Sequence, residues 1–181
     1  METTRDRILK AALNLFSKKG YLGATTREIA REARVAELTL FRYFISKERL
    51  FEEVINTYSF LPQLKEVLEE IHDKPYRDAL FLIAKRFLEL LNMRKDLIRI
   101  MHSEMQRYPE KIKKIHDCII NETLKVLSSY FEDLQKKGVI RDLDTEYAAR
   151  AFLGMFFSYF YAREIKHLTR YRDDDTVKTI E

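Results

Sequence analysis

Helix breakers are scarce in this sequence. Among 181 residues there are 4 glycines and 3 prolines, while Leu, Ile, Lys and Glu are abundant. Gly and Pro are the residues that most disfavour a helix interior, so their scarcity favours helices along the whole chain. An all-α fold is expected. The length permits one large domain or two small ones, with enough chain to bury a sizeable core.

Apolar spacing and capping residues divide the chain. Ile8, Leu9, Ala12, Leu13 and Phe16 recur at three and four residues, which predicts a helix from about Thr4 to Lys19 with Gly20 as its stop. Thr25 and Glu28 have capping-box spacing and open a second, short helix. A third covers about 37–44, and Ser46 is placed to cap a fourth over 47–58. Pro62 and the stretch 72–75 mark breaks, with room for a short helix between them. Pro75 suits the first turn of a helix over 76–92. Further helices are expected over 96–106, from Pro109 to the Lys136-Lys137-Gly138 stop, and from Asp144 to about His167. The string RDDDTV looks like one more helix start.

The third helix has an unusual outer face. Wound at about 100° per residue, it places Leu40, Phe41 and Phe44 on one arc and Leu38, Thr39, Arg42 and Tyr43 on the opposite side. A plain solvated face would carry Lys and Glu. This one offers a guanidinium, a hydroxyl, a phenol and an apolar tip. The charge distribution points to the same region. Residues 1–50 hold 11 Lys and Arg against 6 Asp and Glu, and the remainder holds 22 against 23. The net charge of +4 therefore resides in the first 50 residues. Such an end suits a polyanion, the plainer alternative being a solvated basic surface.

The string ILKAALNLFSKKGYLGATTREIAREARVAELTLFRYFISKERLFEEV, residues 8–54, resembles the DNA-binding domain of the TetR family of repressors. The matching points are Ala12, Phe16, Gly20-Tyr21, Thr25-Thr26, Ile29-Ala30, Val35, Thr39-Leu40-Phe41, Phe44, Ser46-Lys47-Glu48 and Leu50. They run in order and without gaps. The resemblance implies a helix-turn-helix DNA-binding domain over 1–47 and a helical effector-binding and dimerisation domain over 48–181. It also implies a homodimer with one helix-turn-helix per subunit, released from a double-stranded operator by a small molecule. The helix at 37–44 would enter the major groove.

Residue chemistry agrees with that implication. The hydroxyl of Thr26, at the start of its helix, can meet a phosphate. Arg27 can reach a phosphate or a base edge, and no carboxylate stands three or four residues after it. Arg42 can pair bidentately with guanine, Thr39 can serve base or backbone, and Leu38 suits a thymine methyl. Tyr43 and Lys47 match positions that grip phosphate in the family. Glu37, near the positive helix end, fits a dipole role better than base contact. Two positions depart from the family pattern. Ala36 stands where Ser is common, removing a side-chain cap, and Phe41 stands where Tyr is common, removing a hydroxyl.

The remainder of the chain matches the family in helical organisation only. Phe81, Phe87, Met101, Met105, Ile119, Phe156 and Tyr159 suit the walls of an adaptable apolar pocket, with plain core packing as the alternative. His102, Thr123 and Tyr159 could orient a ligand there, and a hydrophobic or acyl-chain effector is expected. Ala151, Gly154, Ser158 and Ala162 form a stripe of small residues on a nearly apolar helix, suited either to the core or to a subunit interface.

Catalysis is not expected. The chain lacks GxGxxG, a P-loop, HExxH, GxSxG and paired cysteines, and its four histidines have no metal-ligand spacing. No cofactor is expected. The single cysteine, Cys118, allows no intrachain disulfide, and no signal peptide is seen at residues 1–7. A cytoplasmic protein without a membrane span is expected.

Overall fold

The computed structural model describes residues 2–166. Every described element is helical, and they divide into two compact units. The first comprises residues up to 58 together with 96–118, and the second comprises 59–95 together with the described residues from 119. The boundary expected at 47/48 thus falls inside the first unit, at the start of a helix.

The first unit is built on α1 (Thr4–Gly23), α2 (Thr26–Glu32), α3 (Glu37–Tyr43) and α4 (Lys47–Tyr58). Thr3 and Asp6 form a capping box at the start of α1. Helix α1 packs on α2 and α4, and α2 packs on α3. Ile8, Phe16, Ile29, Leu40, Leu50 and Phe51 are fully buried and form the common core. Ser46 caps α4, its hydroxyl accepting from the Arg49 N–H at 3.2 Å. Gly20 interrupts α1 with φ +71° and ψ 173°, a conformation essentially reserved for glycine. One more turn follows the interruption, so the helix outlasts the stop expected there. That break turns Tyr21 inward, where its ring meets Phe51 at 5.2 Å and Phe16 at 6.1 Å.

Two elements run through both units. These are α7 (Lys95–Glu104), followed by a short 3-10 turn (Met105–Arg107), and α8 (Glu110–Lys136). Within the first unit, the Glu104 carboxylate occupies the place that a Cβ on Gly20 would fill. Nearby, the Tyr108 hydroxyl accepts from the Tyr21 N–H at 3.5 Å.

The second unit contains α5 (Phe60–Glu70), α6 (Tyr76–Met93) and α9 (Thr145–Phe160). Pro62, expected as a break, lies in the first turn of α5, where its missing N–H has no intrahelical partner to lose. Helix α5 packs on α6, and α6 on α9. Phe60 meets Phe87 at 4.8 Å. Asp144 caps α9 by accepting from the Glu146 and Tyr147 N–H groups. The Ser128 hydroxyl on α8 donates to Thr145 at 2.9 Å. Beyond Phe160 the α9 pattern widens into a π turn, Tyr161–Ile165. The expected end at His167 and the helix start at RDDDTV lie outside the described residues.

Gly20 and Gly138 together provide a stability test. Both have φ near +70°, but a Cβ on Gly138 meets nothing within 4 Å. Gly138→Ala is expected to cost about 1–2 kcal/mol of backbone strain. Gly20→Ala adds displacement of the Glu104 carboxylate to strain of about 1–3 kcal/mol, so its loss in urea denaturation should be clearly larger. Equal losses would mean that the Glu104 seat contributes nothing to stability.

Candidate nucleic-acid interface

The second helix is fixed at its start. Thr25 and Glu28 exchange the two hydrogen bonds of a capping box, as the spacing predicts. The Lys19 ammonium also donates to Glu28 at 2.6 Å. That hydrogen bond, followed by those from Thr25, lowers the Glu28 carboxyl to about 2. It therefore stays ionised near the positive end of the helix dipole. After α2 the chain turns through Arg34, which adopts a left-handed φ of +56°. The Val35 N–H closes this turn onto the Ala30 carbonyl at 3.0 Å.

Helix α3 starts at Ala36 without a side-chain cap. A different contact fixes its first turn: the Thr26 hydroxyl donates to the Glu37 carboxylate at 2.6 Å. The first residues of α2 and α3 are therefore tied directly. Glu37, half-buried, keeps the dipole position expected of it, and Thr26 donates its proton inside the protein. The hydroxyl oxygen still has lone pairs, but the donor is committed.

The outward side of α3 is as the wheel places it. Leu38 is 75% exposed and Tyr43 49% exposed, Arg42 is exposed, and Thr39 is half-buried. Arg27 is exposed at the start of α2. Neither Arg27 nor Arg42 forms an ion pair with a described residue. Phe41 corrects the wheel. It was placed on the core arc but is 40% exposed, because the core takes Leu40 and Phe44 and position 41 lies about 100° around from Leu40.

Lys47 is less open than its expected phosphate role would suggest. Its ammonium lies 4.5 Å from the Tyr21 ring centroid, a cation–π contact. Burial lowers its pKa, against the pull of Glu48 and Glu104. The Tyr21 hydroxyl donates to Glu48 at 2.8 Å, and burial, reinforced by that bond, raises its pKa. Lys47 thus belongs to the joint where α1 meets α4.

The expected pocket residues fall in both units. Met101, His102 and Met105 belong to the first, with Met101 buried, Met105 half-buried and His102 exposed. Phe81, Phe87, Ile119, Thr123, Phe156 and Tyr159 belong to the second. There Phe87 and Phe156 are buried against Phe60 and Phe152, as core residues are. The Thr123 hydroxyl donates to its own helix at the Ile119 carbonyl, and the Tyr159 hydroxyl accepts from Arg163 at 3.3 Å. Phe81, expected as a pocket wall, is exposed because it lies off the arc of Ile83, Phe87 and Leu91 that faces the core of α6. An open cavity of about 650 Å³ beside Asp144 and Gln135 is lined by none of these residues.

On α9 the small-residue stripe faces outward. Ala151, Gly154 and Ser158 are exposed, Ala162 is half-buried, and Met155 and Phe157 beside them are exposed. Leu153, Phe156 and Phe160 fill the core on the other side.

Two short helices joined by a tight turn, with unpaired guanidinium groups and an uncovered second helix, make a helix-turn-helix DNA-binding protein. Comparison with known proteins agrees. The profile of the bacterial regulatory proteins of the tetR family matches residues 8–54, and that of the AefR-like transcriptional repressor C-terminal domain matches residues 78–180. The chain belongs to the TetR family of transcriptional regulators. It is 35% identical to the HTH-type transcriptional regulator YvkB of Bacillus subtilis (strain 168), over 90% of this chain and 84% of that protein. It is 28% identical to the HTH-type transcriptional regulator UidR of Escherichia coli (strain K12), over 93% and 86%. The fold is shared with the transcriptional regulator FadR from Bacillus subtilis, solved in complex with stearoyl-CoA. There the TM-score is 0.78 at 20% identity, covering 96% of this chain and 94% of that one. These relatives are transcriptional regulators rather than enzymes. Among the described residues no helix is long and apolar enough to cross a membrane.

Proposed function

We propose that the chain is a ligand-released repressor that binds a near-palindromic operator as a homodimer. The carrying observation is the uncovered outer face of α3, where Arg42 stands without an ion-pair partner beside Leu38, Thr39 and Tyr43. In this reading Arg42 pairs with a guanine, Thr39 and Leu38 touch neighbouring base edges, and Thr26, Arg27 and Tyr43 position the protein on phosphates. Lys47 steadies the start of α4 and contributes charge, while Glu37 holds α3 through Thr26. Arg42→Ala is expected to weaken binding to a selected operator by about 1–3 kcal/mol and to relax preference at one base pair per half-site. Unchanged sequence preference in binding assays would mean that another residue reads that base.

The homodimer reading rests on α9. Ala151, Gly154 and Ser158 let a second helix approach closely, and Met155 and Phe157 give it apolar surface to cover. Replacing Gly154 and Ser158 with Leu is expected to yield monomers in sedimentation. A persistent dimer would place the interface elsewhere.

For the effector we infer a compound with a long apolar chain, taken up in the C-terminal two-thirds of the protein. Support comes from the apolar side chains there and from the fold shared with a regulator solved with stearoyl-CoA. Release requires a differential: the ligand must bind the DNA-incompetent spacing of the two α3 helices more tightly than the competent one. Stearoyl-CoA titrated into the protein–operator complex is expected to lower operator affinity by about 5–150-fold. Tight binding that leaves operator affinity unchanged would mean that the ligand occupies a passive site.

A further inference from the structure

Helix α3 exposes more apolar surface than its own packing can use. Leu40 and Phe44 fill the core, yet Leu38 is 75% exposed and Phe41 40% exposed on the same short helix. They stand three residues apart, so their side chains are neighbours on adjoining turns, with Arg42 one position beyond. Neither side chain has a polar atom. Water gains nothing from them, and a phosphate gains no hydrogen bond. Within a DNA major groove the apolar feature on offer is the C5-methyl group of thymine.

We propose that Leu38 and Phe41 form one apolar reading edge that selects thymine through its methyl group. The inference rests on the DNA-reading role of α3 proposed above and adds a second kind of readout to it. Arg42 would read hydrogen-bond acceptors, while Leu38 and Phe41 read a hydrocarbon that carries no hydrogen-bonding information. Each half-site then contains a guanine flanked, on the Leu38 and Phe41 side, by one or two thymines. Because the contact is apolar, it is far less sensitive to salt than the phosphate contacts.

The test uses the full-length protein and an operator selected from random duplex DNA. Each thymine is replaced in turn by deoxyuridine, which removes the methyl and leaves every base-pairing and groove hydrogen bond in place. At one or two thymines per half-site, deoxyuridine is expected to weaken binding by about fourfold, the worth of one buried carbon. Leu38→Ala and Phe41→Ala should bind the thymine operator more weakly and lose their discrimination against deoxyuridine at the matching position. Both residues are exposed, so both variants should remain folded, and Arg42→Ala should retain the methyl discrimination. Unchanged affinity on every deoxyuridine operator overturns the inference and leaves the repressor reading standing. The same holds if both apolar variants discriminate as well as the parent protein, or if the two side chains instead cover another protein. Selection that returns no preferred sequence overturns both readings together.

Discussion

The DNA-binding unit depends on a single backbone conformation at Gly20. Its positive φ breaks α1 and swings Tyr21 into the core between Phe16 and Phe51. From there the Tyr21 hydroxyl reaches Glu48 and its ring receives the Lys47 ammonium, which sets the start of α4. The same glycine leaves room for the Glu104 carboxylate, and the Tyr21 N–H donates to the Tyr108 hydroxyl. Residues 96–118 thereby join the unit that carries the helix-turn-helix. Burial pushes the Tyr108 phenol up to about 12, so this joint stays protonated across the physiological range. Any residue with a Cβ at position 20 would disturb both the turn and the carboxylate at once.

On that frame the recognition helix is held by few contacts. It has seven residues, one fully buried side chain and no side-chain cap. The hydrogen bond from Thr26 to Glu37 does the work a capping serine would do, and it does so between helices. It fixes the relative position of the two helix starts that face DNA. A helix so short keeps most of its side chains free, which suits a surface that must be covered by a partner. The consequence is an outer face that mixes a guanidinium, a phenol and hydrocarbon in a small area.

Much of the fold was legible in the sequence because helix ends are set locally. Thr25 with Glu28, Ser46 before α4, Pro75 before α6 and Asp144 before α9 each act over three or four residues, and the structure uses all of them. The family was legible for the same reason, its pattern being contiguous from 8 to 54. What escaped was set by tertiary packing. Phe41 was assigned to the core because a wheel does not say how wide the buried arc is. Pro62 read as a break because a sequence does not distinguish a first turn from a loop. The Glu104 seat on Gly20 joins residues 84 positions apart, and the Thr26–Glu37 bond needs the angle between two helices. Neither leaves a local signal. The pocket residues were chosen for composition, and the structure distributes them between core and surface, with Phe81 and His102 exposed.

The central claim is that two copies of α3 read one operator from its major groove. Footprinting on a duplex selected from random DNA tests it most directly. The expected result is two symmetric protected patches in the major groove, centred about 34 Å apart, one turn of B-DNA. Protection of a single patch, or protection that does not depend on sequence, would contradict it.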